Sequence, residues 1–412
     1  MICRRDAGAT MIASLRKQFN ASFTPEKYQA FLRRIDDACG THVQFRLSET
    51  PCFFPKSLLD QMAEYGKELI RQLVENPEYR NKSEEAVPPG FKVPNEPAHP
   101  MFVQVDFGLV RGADGELQPK LVELQAFPSL YAYQPTLAQA YLDVYGLRDS
   151  ASGGRQLKYF LNGLNDSAYR ALLRRAIVAD HDPENVILME IDPQHQKTLP
   201  DFTLTEKMLG IRTVDITSLK KDGNRLYYDL VGRRIPVKRI YNRAIVDELQ
   251  RKGVKLNFDW RDDLDVEWAG HPNWYFRISK FSLPYLKHDS VPKTWFLDHL
   301  TEIPPDLQNY ALKPLYSFAG LGVVIAPEKE DIDGIPVGKR GEYILQERLQ
   351  FEPVIETPFG GTKAEVRVMY VWLDELTPVL TIIRMGRGLM MGVDHNKNME
   401  WVGASAGLYL QD

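Results

Sequence analysis

Residues 103–129 read VQVDFGLVRGADGELQPKLVELQAFPS, and no other stretch restricts the fold as tightly. Asp114 and Gly115 stand between two strand-like runs, and an Asp-Gly pair so placed is a strong short-range signal for a β-hairpin. A two-residue turn there sets Asp106 opposite Glu123 on one face. Gln125 lies two residues further on, so the pleat returns it to that face. Adjacent carboxylates destabilise a bare hairpin. Two readings answer this. Either both acids are solvated on an exposed face, or a hard cation such as Mg²⁺ sits between them with the Gln125 amide oxygen as a third ligand. A longer loop would shift the register.

At ~150 residues per domain, 412 residues make room for two to three domains with a substantial core. Fifty-one basic against fifty-five acidic residues leave a net charge of −4, which argues against nucleic acid as a partner. Cys3, Cys39 and Cys52 form no CxxC pair, which suggests neither zinc nor a disulfide framework and fits a reducing, cytoplasmic setting. No apolar run approaches the ~20 residues of a membrane span, and Arg4 and Arg5 precede no apolar stretch of a signal peptide.

Residues 25–76 read mostly as helix. In 56–75 the residues Leu58, Leu59, Met62, Tyr65, Leu69, Ile70 and Leu73 recur at helical spacing. Five prolines in 86–100 mark a rigid connector. Residues 135–147 and 155–178 read as helix, and 186–191 as a buried strand. Gly223 and Asn224 predict a hairpin between 214–219 and 225–230. The last 120 or so residues are strand-rich, with apolar runs at 343–345, 366–372 and 378–383.

Three further constellations suggest chemistry. In ALKPLYSFAGLGVVIA, a strand delivers Lys313 ahead of a loop with Ser317, Gly320 and Gly322, where small residues let backbone N–H groups approach phosphate. An ordinary glycine-rich hairpin fits the same letters. In YILQERL, an apolar strand exits at Gln346 and Glu347, a place where backbone groups can meet an adenine edge. In 363–387, Glu365 and Arg367 share a strand face and a returning strand carries Arg384, with Arg387 beyond. These arginines fit a phosphate, or equally a cross-strand Glu–Arg pair on a solvated face. The tip 359–362 reads as a lid loop or as a plain turn. Arg239-Ile240-Tyr241-Asn242-Arg243 and Ser129 are candidate substrate contacts, with Arg243 suited to a carboxylate.

Taken in order, a lysine–proline strand, a Ser/Gly loop, a Q-E-R-L hinge and an E-V-R strand followed by arginines resemble the nucleotide-binding half of the ATP-grasp fold. The Asp and E-x-N that usually follow have their counterpart near the front, at Asp106 and Glu123-Leu124-Gln125. That arrangement resembles the circularly permuted ATP-grasp proteins of the glutathionylspermidine synthase-like group. The resemblance implies a mixed α+β and α/β architecture: an N-terminal helical segment (1–95), a metal-ligand hairpin (96–147) completing the C-terminal ATP-grasp subdomain, a central three-layer α/β substrate domain (148–290), and ATP-grasp subdomains at 291–348 and 349–412. It also implies that ATP is bound by Lys313, Ser317, Gly320, Gly322, Gln346, Glu347 and Lys280. Mg²⁺ would be held by Asp106, Glu123 and Gln125, with Lys313, Arg367 and Arg384 at the transferred phosphoryl group. Tyr241, Asn242, Arg243, Ser129 and Arg387 would meet small carboxylate and amine substrates, an amino acid, peptide or polyamine. The implied activity is a carboxylate–amine ligase working through an acylphosphate, with a small-molecule kinase or an inactive nucleotide binder as alternatives. Two departures stand out: E-L-Q replaces E-x-N, and Phe127-Pro128-Ser129 replaces the usual Pro-Gly.

Overall fold

The computed structural model describes residues 11–148, 155–316 and 320–411. The chain opens with α1 (Ala13–Ser22), α2 (Pro25–Cys39), a two-residue β1 (Cys52–Phe53), α3 (Lys56–Val74) and α4 (Pro77–Lys82). Thr24 caps α2 by accepting from the Lys27 N–H, Pro25 fixes its first turn, and Gly40 at φ 70° ends it. The stripe read from 56–75 is real: Leu58, Leu59, Met62, Leu69, Ile70 and Leu73 are buried on one face of α3. Between α2 and α3 the chain is not helical, because it turns to lay β1 beside the last strand.

The hairpin follows as β2 (Phe102–Arg111) and β3 (Leu117–Gln125), then α5 (Tyr133–Val144), a short β4 (Leu157–Lys158) where helix was expected, and α6 (Asp166–Ile177). An α/β run comes next: β5 (Val186–Glu190), α7 (Leu199–Leu209), β6 (Arg212–Asp215), β7 (Lys220–Asp222), β8 (Arg225–Leu230), β9 (Arg233–Val237), β10 (Arg239–Asn242), α8 (Val246–Lys252), β11 (Glu267–Ala269) and α9 (Pro272–Arg277). The remainder is β12 (Thr294–Phe296), β13 (Tyr310–Pro314), β14 (Val324–Ile325), α10 (Lys329–Asp333), β15 (Tyr343–Glu347), β16 (Ile355–Thr357), β17 (Gly360–Trp372), β18 (Leu376–Gly386) and β19 (Gly403–Leu410).

Four sheets result. The largest runs β1-β19-β18-β17-β2-β3, so the early hairpin is stitched to the late strands, with β16 beside β17 and β4 beside β19. The second, β11-β10-β5-β6, is parallel throughout. Alternate residues of β5 and β10 enter different cores, Ile187, Met189 and Ile240 one and Val186, Leu188 and Tyr241 another, as a sheet covered on both faces requires. The third, β12-β15-β13-β14, is antiparallel, and β7-β8-β9 form a small separate sheet. The turn at Gly223 and Asn224 therefore joins β8 to β7, not to 214–219, because β6 is taken by the parallel sheet. Residues 359–362 are the turn and first residues of the β16–β17 hairpin. Among the described residues no helix is long and apolar enough to cross a membrane.

Candidate functional site: a cleft between two sheets

The hairpin sets Asp106 opposite Glu123, but not through a two-residue turn. Its loop spans 112–116, closed by the Gly112 N–H donating to the Glu116 carbonyl, which shifts the ladder by one residue. A β-bulge at Val122 restores the shift, so Gln104 pairs with Gln125, Val105 with Leu124 and Asp106 with Glu123. The bulge also changes the burial phase. Leu117, Pro119 and Leu121 are buried, then Leu124, while Val122, Glu123 and Gln125 are half-buried and line the cleft.

On the other side of β2, Asp106 faces Arg367 of β17, and Glu365 of β17 faces Arg384 of β18. Arg367 donates to both Asp106 oxygens, Nε to Oδ1 at 2.5 Å and Nη2 to Oδ2 at 2.6 Å. Arg384 Nη2 donates to Asp106 Oδ2 at 3.0 Å, while its Nη1 bonds the Glu365 carboxylate. Gln104 Oε1 accepts from Arg367 Nη1 and from Gln125 Nε2, each at 3.0 Å. Burial pushes the Asp106 carboxyl up, but the Arg367 and Arg384 charges outweigh it and hold it below the ordinary range. Burial raises Glu365 to about 7 against the pull of Arg384. Burial also works against charge on Arg384, yet Asp106 and Glu365 keep that guanidinium above its usual value.

The third sheet supplies the facing wall. Lys313 of β13 pairs with Ile344, and Ala311 with Gln346 of β15. Lys313 Nζ donates to Gln346 Oε1 at 2.5 Å and, across the cleft, to the carbonyl of the bulged Val122 at 3.4 Å. Burial lowers the Lys313 ammonium from its ordinary range, with Glu123 opposing. Lys280 lies 3.9 Å from Glu123 Oε2, and Arg367 3.9 Å from Glu123 Oε1. The cleft has a volume of about 610 Å³. Gly108 has no side chain where Phe351 lies, since a Cβ there would come within 2.3 Å of that ring.

Of the residues singled out from sequence, Lys313, Lys280, Gly320, Gln346, Glu347, Glu123, Gln125, Ser129, Arg367 and Arg384 line this one cleft. Asp106, 1% exposed, sits behind its wall with both oxygens taken by arginines. Gly320 and Gly322 both adopt positive φ, 76° and 73°, but only Gly320 reaches the cleft. Ser317 lies outside the described residues. Arg387 points elsewhere, its Nη1 donating to Thr362 Oγ1 at 3.2 Å and its Nη2 to the Glu400 carbonyl at 2.8 Å. Tyr241, Asn242 and Arg243 are buried at the end of β10, off the cleft wall. The Asn242 amide oxygen accepts the Ala244 N–H at 3.2 Å. Arg243, 2% exposed, lies near Phe127 and Phe202 (5.2 and 5.4 Å to the ring centroids), and its Nε and Nη1 have no partner among the described residues.

Sequence reasoning passed over Glu365 as more than a salt-bridge partner, and Gln104, Lys363 and Phe351 altogether. It also passed over Glu190 and Asp201, buried near Arg243. Asp201 accepts the N–H groups of Leu130, Ala132 and Tyr133 and so pins the loop that carries Ser129. Glu190 is raised to about 8 by burial, with Arg243 opposing. Among the described residues no group of three or more His, Cys, Asp or Glu side chains is arranged to hold a metal ion.

The fold and site define a class: a mixed α/β protein in which the large mixed sheet and the antiparallel third sheet wall a cleft rich in lysine and arginine. No family model and no curated protein matches the sequence. Among solved structures the chain is similar to a glutathione synthetase-like effector, GSS30, from Globodera pallida, in its apo form. The two share 14% identity at a TM-score of 0.56, over 93% of this chain and 98% of that one. At that identity the likeness establishes a shared fold.

Proposed function

We propose that the chain is an ATP- and Mg²⁺-dependent carboxylate–amine ligase on a circularly permuted ATP-grasp fold. The observation that carries the reading is the meeting in one cleft of Lys313 and Gln346 from one sheet with Glu123, Arg367 and Arg384 from another. The fold shared with a glutathione synthetase-like protein supports it.

In this reading Lys313 and Lys280 take phosphate oxygens of ATP, and the 346–349 stretch meets the base. A substrate carboxylate oxygen attacks the γ-phosphorus, breaking its bond to the β–γ bridging oxygen and releasing ADP. Arg367 and Arg384, held in place by Asp106 and Glu365, neutralise the charge on the transferred group. The amine then attacks the acyl carbon, phosphate leaves, and an amide remains. Mg²⁺ suits Glu123 and the Gln125 oxygen, since this ion takes one or two protein carboxylates alongside phosphate and needs no larger cluster. Neither Glu123 oxygen is within hydrogen-bonding distance of Arg367 or Lys280. Asp106 does not suit the ion, because its oxygens already serve the arginines. When bound, the metal would neutralise phosphate charge. The acid substrate's carboxyl end is assigned to Arg243, whose Nε and Nη1 have no hydrogen-bond partner among the described residues.

The test is an ADP-release screen with paired carboxylates and amines and mass spectrometry of the products. The reading expects ADP and an amide formed together, and no turnover by Glu123→Gln. A phosphorylated acid accumulating without amide would make the protein a kinase. Full activity in Glu123→Gln would contradict the metal assignment.

A further inference from the structure

Gln346 is 3% exposed, and its two amide ends face different situations. Its Oε1 accepts from Lys313 Nζ. An ammonium only donates, so Lys313 fixes which end of the amide is oxygen, and Nε2 must point the other way. Nε2 is buried with no hydrogen-bond partner among the described residues. The strand register says where this side chain looks. Gln346 pairs with Ala311, Ile344 with Lys313, and Ala311, Lys313 and Gln346 all line the cleft. A buried donor left without an acceptor is rare and calls for a missing one. Around it the cleft is walled by apolar Ala311, Val323, Ile325 and Leu349, surfaces suited to the faces of a flat ring, while Lys313 and the arginines suit the phosphates.

We infer that the Gln346 amide reads the nucleobase, donating from Nε2 to the N7 acceptor of a purine. The inference rests on the nucleotide reading above and adds a selectivity to it. Pyrimidines have no N7, so the site discriminates against them, and Gln346 couples base to phosphate because the same amide holds Lys313.

The full chain is titrated calorimetrically with ATP and with 7-deaza-ATP, in which N7 is replaced by C–H, both with Mg²⁺. ATP binds about five- to tenfold tighter, the worth of one neutral hydrogen bond. In Gln346→Met the donor is gone and the ratio falls to near one. The lost contact to Lys313 weakens both nucleotides alike and cancels in the ratio. Gln346→Glu keeps an acceptor for Lys313 but turns the donor into an oxygen, so it penalises ATP more than the deaza analogue. Equal affinities in the wild-type chain overturn the inference and leave the nucleotide reading standing, as does a ratio that persists in Gln346→Met. If neither nucleotide binds the wild-type chain, the nucleotide reading falls and this inference with it. The wild-type comparison decides the matter even where a variant fails to fold.

Discussion

Both oxygens of Asp106 are engaged by guanidinium groups, and this decides what its loss would do. Asp106→Asn leaves Arg367 and Arg384 buried against a neutral amide, and breaking one partner of a buried pair costs about 3–5 kcal/mol. Glu123→Gln, half-buried and without a close ion pair, is expected to change stability by less than about 1 kcal/mol while removing metal-dependent turnover. Denaturant unfolding of both variants checks the contrast. It separates a carboxylate that holds the arginines from one that faces the cleft. Glu190 gives a pH signature. Its carboxyl is raised from 4.5 to about 8, so above pH 4.5 the folded chain holds a proton that the unfolded chain gives up. Stability therefore falls as pH rises through this window, by an amount on the order of a few kcal/mol. Glu190→Gln still accepts the Ile191 N–H but does not titrate. Its advantage over the wild-type chain should grow from pH 5 to pH 8.5 in thermal melts. An advantage independent of pH would mean that Glu190 is charged in the fold.

The element that matters most is the β2–β3 hairpin, and the sequence led to the right pairing by an incomplete route. Asp114 and Gly115 mark the turn, but the loop closes from Gly112 to Glu116, and only the bulge at Val122 brings Asp106 level with Glu123. A bulge has no residue-type signature as sharp as Asp-Gly, so the two compensating shifts were not readable from the letters. The bulged residue has a use, since its carbonyl faces Lys313 at 3.4 Å. Deleting Val122 should leave Leu124 in the core and Glu123 and Gln125 facing the cleft, because what remains is a regular strand. The expected outcome is a folded chain, less stable by no more than about 2 kcal/mol, that binds Mg·ATP about fivefold more weakly through loss of that contact. Calorimetry and denaturant unfolding together check it. Unfolding on deletion would show that the bulge is needed for the sheet itself. The helical stripe of α3 and the buried strand β5 were legible because burial writes a period into the sequence. The partner of β8 was not, since 214–219 and 220–222 are adjacent and only the parallel sheet decides which of them pairs.

At the scale of the whole molecule, the cleft is made by strands far apart in the chain. The order of the motifs brought the proposed nucleotide side into view: lysine strand, glycine loop, hinge and arginine strands. The proposed substrate side stayed obscure because burial, not residue type, distinguishes it. What marks Arg243 is burial, its Nε and Nη1 enclosed without hydrogen-bond partners among the described residues, as Arg16 Nε and Nη2 also are, and Glu365 differs from a solvated salt-bridge acid only in lying 5% exposed beside Asp106. Neither property is written locally. The central claim is that the early hairpin and the late sheets grip one magnesium nucleotide, and calorimetric binding of a non-hydrolysable ATP analogue in the presence and absence of Mg²⁺, to the wild-type chain and to Lys313→Met, tests it most directly. The account predicts Mg²⁺-dependent binding to the wild-type chain that weakens about ten- to a hundredfold in Lys313→Met, with both proteins melting cooperatively. Binding that ignores Mg²⁺ and survives the substitution, or no binding at all, would contradict it.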